Sequence, residues 1–309
     1  MRGPQVVVVG PAYLDVVAAP MGDWPELGRE FLTGGIELAA GGFAIAALAL
    51  RRLGVEVLLG TAVGGDGPGR YLTHLLQAEG VAQIGPAPAR TPVTIALNHL
   101  GDRAFVTAGP PADDQLAAGG LAALRAAPSA RWLHLSGRGP WAAEVAAQAR
   151  SSGLYVSLDC GTDPAWLASK DFRALLGQVD AYLPNAREAT CVTGEDDPER
   201  AAAALCEFVP RAIVKLGPGG VLAAGADGLR HHPTQALQAV DATGAGDVFD
   251  AGYIAGSLWG FDEAAAVRLG QFAAGAAIGA LGGATAAPTR WACVEGLPDL
   301  PWSRMKDGG

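Results

Sequence analysis

The sequence predicts an α/β protein with a doubly wound, mostly parallel sheet, flanking helices and a small additional β layer. Short apolar or β-branched runs alternate with Ala- and Leu-rich segments along most of the 309 residues, which is typical of parallel strands joined by right-handed helical crossovers. Two stretches, 12–40 and 85–110, break this alternation and lack helical periodicity. We expect them to form the separate β layer.

The elements are predicted in chain order from composition and from turn residues. Val6–Val9 is a β-branched run closed by Gly10-Pro11, which favours a buried first strand. Two apolar runs around Gly101-Asp102-Arg103 favour a β-hairpin. The other strands are predicted at Val55–Leu59, Trp132–Leu135, Tyr155–Leu158, Ala181–Leu183 and Ile213–Leu216, and the helices at Ala44–Leu53, Arg70–Glu79, Leu116–Ala126, Trp141–Ser151, Pro198–Phe208, Ala245–Leu258 and Glu263–Ala280.

This pattern predicts two parts. Residues 1–11, 41–84 and 111–309 would form an α/β core, and residues 12–40 and 85–110 would form a small separate β layer over one edge of its sheet. Asp15 follows the first strand, at the edge where open α/β sheets hold their ligands.

Composition argues against several classes of partner. The net charge is −9 and no Lys/Arg cluster is present, so we expect neither nucleic acid nor an anionic membrane surface as a partner. No apolar run approaches the 18 residues or so of a membrane span. The four cysteines are scattered, without a CxxC pair, which predicts reduced thiols in a cytoplasmic protein.

The densest chemical signal is the segment from Asp241 to Gly252. Small residues at Gly244, Ala245 and Gly246 let backbone N–H groups converge where a helix is predicted to begin, and such a terminus attracts anions. Asp247 would lie in the first turn, where a carboxylate could accept the proton of a hydroxyl that attacks a phosphoryl group. Taken alone, Asp247 could equally be an acidic residue that complements the helix dipole.

Other catalytic motifs are missing from the sequence. It contains no GxxxxGK[ST] loop, no HExxH pair and no GxSxG elbow. The glycine cluster Gly64-Gly65-x-Gly67 does not fit the GxGxxG pattern of dinucleotide-binding loops.

Five ordered motifs resemble those of the PfkB carbohydrate kinases, the ribokinase-like sugar and nucleoside kinases. Residues 241–252 resemble the DTxGAGDxFxAG signature of that family. The other four are Ala40-Gly41-Gly42 leading to Arg52-Leu53-Gly54, the VGxDxxG-like segment from Val63 to Val81, the Pro-Asn-x-x-Glu arrangement of Asn185 and Glu188, and Lys215-Leu216-Gly217-x-x-Gly220. Their order and spacing hold over roughly residues 5–290, nearly the whole chain.

The resemblance implies a ribokinase-like fold and a role for each matching residue. In such a fold the α/β core would bind nucleotide and substrate, and residues 12–40 and 85–110 would form a β lid that closes over the substrate. Asp247 would be the catalytic base, and the amides of Gly244, Ala245 and Gly246 would form the anion hole. Asp15 and the Gly41-Gly42 turn would hold the substrate hydroxyls.

For the cofactors, the resemblance implies ATP and Mg²⁺. Asn185 and Glu188 would organise Mg²⁺ and the phosphates through water, and Gly217 and Gly220 would border ATP. Asp241 and Thr243 match positions that help some members bind a monovalent cation such as K⁺.

Several positions depart from the family pattern and bear on the substrate. The Asn that follows the glycine turn in many sugar kinases aligns here with Ile45 or Ala46, depending on a one-residue choice of register, and Tyr13 replaces an Asn of ribokinase-type members. Phe43 adds an aromatic wall, so a nucleoside or a less polar polyol competes with ribose. Lys215 replaces a frequent Thr and would either approach the ATP phosphates or extend into solvent.

The sequence thus predicts an ATP-dependent kinase that phosphorylates a hydroxyl of a small sugar or nucleoside. Few cations in the lid segments argue against a phosphorylated substrate. The alternatives are a nucleotide- or metabolite-binding protein of the same fold without efficient phosphotransfer and, from a third class, an NAD-dependent oxidoreductase. Exposed lid strands would permit a homodimer.

Overall fold

The structure, a computed structural model, describes residues 3–99, 102–161 and 163–305. The chain divides into two compact units. The first comprises the described residues up to Gly10, Val55–Thr61 and Ala112–Ala236, and the second comprises Pro11–Gly54, Ala62–Pro111 and the described residues from Leu237 onward. Gly101 of the predicted hairpin turn and the first two residues of the predicted core lie outside the described part.

Strands and helices alternate along most of the chain, as the sequence predicts. The strands are β1 (Val6–Val9), β2 (Ala12–Met21), β3 (Ile36–Gly42), β4 (Val57–Gly60), β5 (Ala82–Ile84), β6 (Val93–His99), β7 (Asp102–Ala108), β8 (Trp132–Ser136), β9 (Tyr155–Asp159), β10 (Ala181–Tyr182), β11 (Arg211–Lys215), β12 (Val221–Gly225) and β13 (Gly228–His232). The helices are α1 (Phe43–Arg52), α2 (Gly67–Ala78), α3 (Asp113–Ala126), α4 (Trp141–Ser151), α5 (Pro164–Leu167), α6 (Lys170–Leu176), α7 (Ala186–Thr193), α8 (Pro198–Leu205), α9 (Ala245–Leu258), α10 (Glu263–Ala277) and α11 (Arg290–Gly296).

The first unit contains a mostly parallel sheet, which confirms the predicted fold class. Its strands follow the order β13-β12-β11-β10-β9-β8-β1-β4. Strand β1 lies between β8 and β4 and pairs with both in parallel, and its four valines are fully buried. A strand covered on both faces requires this continuous apolar run. The carboxyl ends of β8, β9, β10 and β11 lie side by side, since these neighbours are parallel.

The edge of this sheet differs from the prediction. Strands β12 and β13 form an antiparallel hairpin next to β11, where the sequence suggested no strand. Three of the five residues of β12 are Ala or Gly, and β13 is largely exposed and polar, so neither shows the alternation that marks a strand. Their pairing, rather than local propensity, makes them strands.

The second unit contains a four-stranded sheet in the order β3-β2-β6-β7. The predicted hairpin corresponds to β6 and β7, which pair antiparallel. Asp15 of β2 lies opposite Ala39 of β3 and Thr94 of β6. The role of this sheet as a lid, with boundaries at 12–40 and 85–110, stays a prediction.

Helix α9 is fixed in the second unit by close packing against α10. A Cβ atom at Gly252 would lie 2.7 Å from the Cα of Gly270, and one at Gly256 would lie 3.0 Å from the Cα of Ala266. The two helices can approach this closely only because small residues face each other. The position of the α9 N-terminus is therefore set by backbone packing. No helix in the described part of the chain has the length and apolarity to cross a membrane.

Candidate active site

The Asp15 carboxylate lies against the Gly41-Gly42 turn in the second unit. A Cβ atom at Gly41 would fall within 2.2 Å of the carboxylate atoms of Asp15, so only glycine allows this approach. Gly42 covers the ring of Tyr13 in the same way, with a Cβ position 2.7 Å from that ring. Phe43 begins α1, is buried, and donates its N–H to the carbonyl of Pro11. The structure thus brings together all five residues predicted to bind substrate.

Asp15 is a buried acid with unused hydrogen-bonding capacity. The residue is 5% exposed, and its Oδ1 atom has no hydrogen-bond partner among the described residues. Burial raises the pKa of the Asp15 carboxyl to about 7, a hydrogen bond from Thr94 opposes the rise, and the charge of Asp241 adds to it. A buried carboxyl oxygen without a partner is costly unless a ligand donates to it. It is suited to receive a hydroxyl.

The turn before α9 has the geometry of an anion site. Gly244 adopts a left-handed conformation with φ of 70°, and a Cβ atom there would lie 2.7 Å from Ile45 Cδ1. The Ala245 N–H makes a long 3.3 Å hydrogen bond to the carbonyl of Ala242 within the turn. The first N–H groups of a helix lack intrahelical acceptors, so this turn presents donors to a ligand. Asp247 is half-buried in the first helical turn, beside these amides.

Asp241 holds this turn from behind. Its Oδ1 atom accepts the N–H of Thr243 at 2.9 Å, and its Oδ2 atom accepts the N–H of Gly282 at 3.0 Å. The Oγ1 atom of Thr243 is buried without a hydrogen-bond partner in the described part of the chain. Asp241 and Thr243 therefore lie together, and Thr243 offers a buried oxygen that an additional ligand could use.

The Ile45 side chain packs against the anion-site turn. Ile45 is 2% exposed. A Cβ atom added at Gly244 would lie 2.7 Å from Ile45 Cδ1, and one added at Gly283 would lie 2.8 Å from the same atom. The side chain that contacts the anion-site turn is therefore that of Ile45. An apolar contact therefore supports the turn, and whether Ile45 or Ala46 corresponds to the Asn of sugar kinases stays open.

In the first unit, Asn185 and Glu188 form a reciprocal cap at the start of α7. Asn185 Oδ1 accepts the N–H of Glu188, and Glu188 Oε2 accepts the N–H of Asn185, both at 2.9 Å. This capping box explains the spacing of the two residues by helix chemistry alone. If Asn185 and Glu188 also act at a metal, they do so while capping α7.

Lys215 does not extend into solvent. Its Nζ atom lies 3.2 Å from Asp159 Oδ2, and the two side chains are 12% and 13% exposed. The solvent-exposed alternative for Lys215 is therefore wrong, because Asp159 ends β9 near the end of β11 and holds the ammonium group. Asn185 forms an isolated parallel bridge with Lys215. Both predicted nucleotide-site residues thus lie at one edge of the sheet.

The glycines after β11 shape a tight turn. Gly217 has a φ of 58°, and a Cβ atom added there would have no neighbouring atom within 4 Å. Gly220 has a φ of 91°, and a Cβ atom there would lie 2.2 Å from the carbonyl oxygen of His232. The exposed backbone at Gly217 can therefore border a ligand, whereas Gly220 is required by the contact with β13.

Within residues 3–99, 102–161 and 163–305, no three His, Cys, Asp or Glu side chains are grouped so that they could hold a metal ion. Glu188 is 3% exposed and one of its oxygens caps α7. A role of Glu188 toward Mg²⁺ through water stays a prediction.

Three contacts of these sites were not found from the sequence. Thr94 hydrogen bonds to Asp15, Asp159 pairs with Lys215, and Gly282 donates to Asp241. Asp159 directly follows a predicted strand, so the rule that identified Asp15 could have found it. The contact of Thr94 depends on strand pairing, and that of Gly282 depends on the packing of a segment 41 residues away from Asp241. Patterns in a single sequence do not show such contacts.

Comparison with known proteins identifies the family. The profile of the pfkB family of carbohydrate kinases matches residues 4–290. The chain belongs to this family. A fructokinase from Klebsiella pneumoniae is 31% identical over 241 residues, which cover 72% of this chain and 77% of that protein.

Solved structures show the same fold for this pfkB carbohydrate kinase. A putative ribokinase from Agrobacterium tumefaciens has a TM-score of 0.82 and 24% identity, with 96% of this chain and 98% of that chain covered. A putative ribokinase II from E. coli, solved in complex with ATP and Mg²⁺, has a TM-score of 0.79 and 21% identity, with 96% and 99% covered. The pfkB chain is thus an ATP-dependent phosphotransferase with an alcohol group as acceptor.

Proposed function

We propose that this kinase phosphorylates a hydroxyl of a small, uncharged sugar or nucleoside, with Asp247 as the base. The acceptor oxygen attacks the γ-phosphorus of ATP, Asp247 takes the hydroxyl proton, and ADP leaves. The amides of Gly244, Ala245 and Gly246 stabilise the negative charge on the transferred group. The observation that carries this proposal is the left-handed Gly244 turn at the α9 N-terminus with Asp247 beside it.

Asp15 supports a hydroxyl-bearing acceptor. Its buried Oδ1 atom has no partner among the described residues, so a substrate hydroxyl would satisfy it. A phosphorylated acceptor would bring additional negative charge close to two buried acidic residues, Asp15 and Asp241. The resemblance to a fructokinase favours a sugar, and the buried rings of Tyr13 and Phe43 would give that acceptor an apolar boundary.

The nucleotide half of the proposal rests on the first unit. Asn185, Lys215, Gly217 and Gly220 would border ATP, and Glu188 would reach Mg²⁺ through water. Mg²⁺ supplies charge neutralisation on the phosphates during transfer. Because Asp159 holds Lys215 at the sheet edge, the ammonium group is positioned in advance for a phosphate.

A monovalent cation near Asp241 is a further part of the proposal. The buried Thr243 Oγ1 atom, which has no hydrogen-bond partner among the described residues, supports a K⁺ ion next to the carboxylate. Such an ion would strengthen the positive potential behind the anion-site turn.

The four-stranded sheet is proposed to act as a lid and as a homodimer face. Val16 lies opposite Leu38 and Ile95, and Ile95 lies opposite Val106, so these apolar residues share one face of the sheet. Leu38, Ile95 and Val106 are exposed, and Asp15 points to the other face. The free thiols of all four cysteines fit a reducing compartment, so we place the kinase in the cytoplasm.

The test is ADP formation with MgATP and a panel of ketoses, aldoses, polyols and nucleosides. We expect one class of uncharged acceptor to stimulate ADP release far above the rate with ATP alone, and the product to carry one phosphate by mass spectrometry. The corresponding sugar phosphates should be poor acceptors. Nucleotide binding without turnover for every compound would favour a metabolite-binding protein and contradict the proposal.

A further inference from the structure

The loop formed by residues 282–287 contacts the back of the anion-site turn. The Gly282 N–H donates to Asp241. A Cβ atom added at Gly244 would lie 3.1 Å from the Cα of Gly283, and one added at Gly283 would lie 2.8 Å from Ile45 Cδ1. Movement of this loop would therefore displace the Asp241 carboxylate and the Gly244 backbone together.

Arg52, the last residue of α1, holds the other side of this loop. Its Nη1 atom donates to the carbonyl oxygens of Ala284 and Thr285 at 2.8 Å each and to that of Ala287 at 3.2 Å. Nη1 carries two hydrogens, so at least one of them is shared between two carbonyls. Three converging carbonyl oxygens create a negative pocket that a guanidinium group neutralises while fixing the loop conformation.

Glu79 sets the orientation of Arg52. Its Oε1 atom accepts from Nη2 at 2.6 Å and its Oε2 atom accepts from Nε at 3.2 Å, which is a two-point ion pair. The hydrogen bond from Arg52 lowers the pKa of the Glu79 carboxyl, so the pair stays charged at neutral pH. The Arg52 side chain is 22% exposed. Because two nitrogens of the planar guanidinium donate to the two oxygens of one carboxylate, the guanidinium can adopt few orientations. Its Nη1 atom therefore points toward the loop.

We propose that Arg52, oriented by Glu79, is a positioning residue for phosphoryl transfer: it holds the 282–287 loop so that the Gly244 turn stays aligned with the transferred phosphate. This inference rests on the proposed function. It goes further because neither Arg52 nor Glu79 is one of the residues proposed to touch a substrate. Misplacing an anion site by about 1 Å is enough to slow chemistry on the order of 100-fold without removing any catalytic group.

The experiment compares Arg52→Ala with the wild-type protein in steady-state kinetics, with rates divided by the folded fraction. We expect kcat to fall about 10- to 100-fold while the KM values for ATP and acceptor change less than about threefold, the pattern of an interaction made in the transition state. Added methylguanidine should restore part of the kcat of Arg52→Ala, because the Arg52 site is partly open to solvent.

Arg268→Ala is the matched control. Arg268 belongs to the same unit and pairs with Asp299, but both side chains are about half exposed and face the surface. This variant should keep the wild-type kcat and show no rescue. If Arg52→Ala does not fold, Arg52→Lys and Glu79→Gln decide. Lys keeps the charge, but its single nitrogen cannot pair with Glu79 at two points and also bond the loop carbonyls, and Gln loses only the orienting charge. A wild-type kcat per folded molecule in the folded variants would overturn the positioning role.

Asp247→Asn, measured in parallel, separates the two hypotheses. An inactive Asp247→Asn together with a fully active Arg52→Ala would reject only the role of Arg52. A fully active Asp247→Asn would reject the proposed mechanism itself.

Discussion

Asp15 shows how one buried side chain links stability to function. Its pKa is raised from 3.8 to about 7, so the folded protein holds a proton between pH 4 and 7 that the unfolded chain has lost. Folding stability therefore decreases as pH rises through this window. A shift of this size corresponds to an upper limit on the order of 4 kcal/mol at about 1.4 kcal/mol per pH unit.

Replacement of Asp15 by Asn should remove this pH-dependent loss. We expect Asp15→Asn to raise the melting temperature relative to wild type at pH 8, and the gain to disappear near pH 4, where Asp15 is protonated. Acceptor KM should rise because the carboxylate is lost. Thermal unfolding across pH 4–8 measures the effect. Asp299→Asn is the control, since an ion pair with Arg268 lowers the pKa of the exposed Asp299 carboxyl and this variant should gain nothing at pH 8.

Individual residues were predictable from the sequence where motif and location coincide. The positions of Asp15, Asp247 and the glycines of both turns could be predicted because each follows a strand or begins a helix, whereas their roles stay predictions. The sequence showed Arg52 only as part of a motif and did not predict its contacts, because its carbonyl partners lie more than 230 positions away in the chain. Contacts of this kind depend on tertiary packing and leave no periodic signal.

Helix α7 begins with a cap formed by two residues that are also proposed to act at the metal. The Asn185–Glu188 cap satisfies N–H groups at the helix start, and the action of Glu188 on Mg²⁺ through water stays a prediction. The two roles can be separated because Gln at 188 keeps an oxygen acceptor but loses the charge.

We expect Glu188→Gln to keep the cap and weaken the metal response. The Mg²⁺ concentration for half-maximal activity should rise roughly tenfold, the usual effect of losing an outer ligand, with little change in melting temperature. Asn185→Ala should instead cost about 1 kcal/mol of stability through loss of the cap. Mg²⁺ titrations of ADP formation and thermal unfolding measure both. A destabilised Glu188→Gln with an unchanged Mg²⁺ response would leave only the capping role.

Elements were predicted best where local signals are strong. The bounds of α9 agree with the prediction of Ala245–Leu258, because the glycine turn marks its start and Gly260 follows its end. Helix α2 begins at Gly67 instead of Arg70, since Asp66 caps it by accepting the N–H of Gly69 and Pro68 is tolerated in the first turn. The β12–β13 hairpin was missed because edge strands rich in Ala, Gly and polar residues resemble loops.

For the molecule as a whole, the apolar face of the four-stranded sheet predicts a homodimer. Ile36, Leu38, Ile95 and Val106 are exposed large apolar residues of this sheet, and clustered apolar surface usually marks an interface. We expect light scattering to give twice the 31.3 kDa mass of one chain. Ile95→Lys should shift the mass to that of one chain. Leu229→Lys, on exposed strand β13, should not change it, and a monomeric wild type would contradict the prediction.

Asp247 is the central residue of the proposed phosphoryl transfer, and steady-state kinetics of Asp247→Asn is the most direct test of that role. With the acceptor identified by the panel, kcat should fall about 10²- to 10⁴-fold while the KM for ATP stays nearly constant. Asp113→Asn provides the comparison, because Asp113 is an exposed acid in the first turn of α3 and its loss should affect stability alone. Near-normal turnover by Asp247→Asn would show that the carboxylate only complements the helix dipole, and would contradict the mechanism.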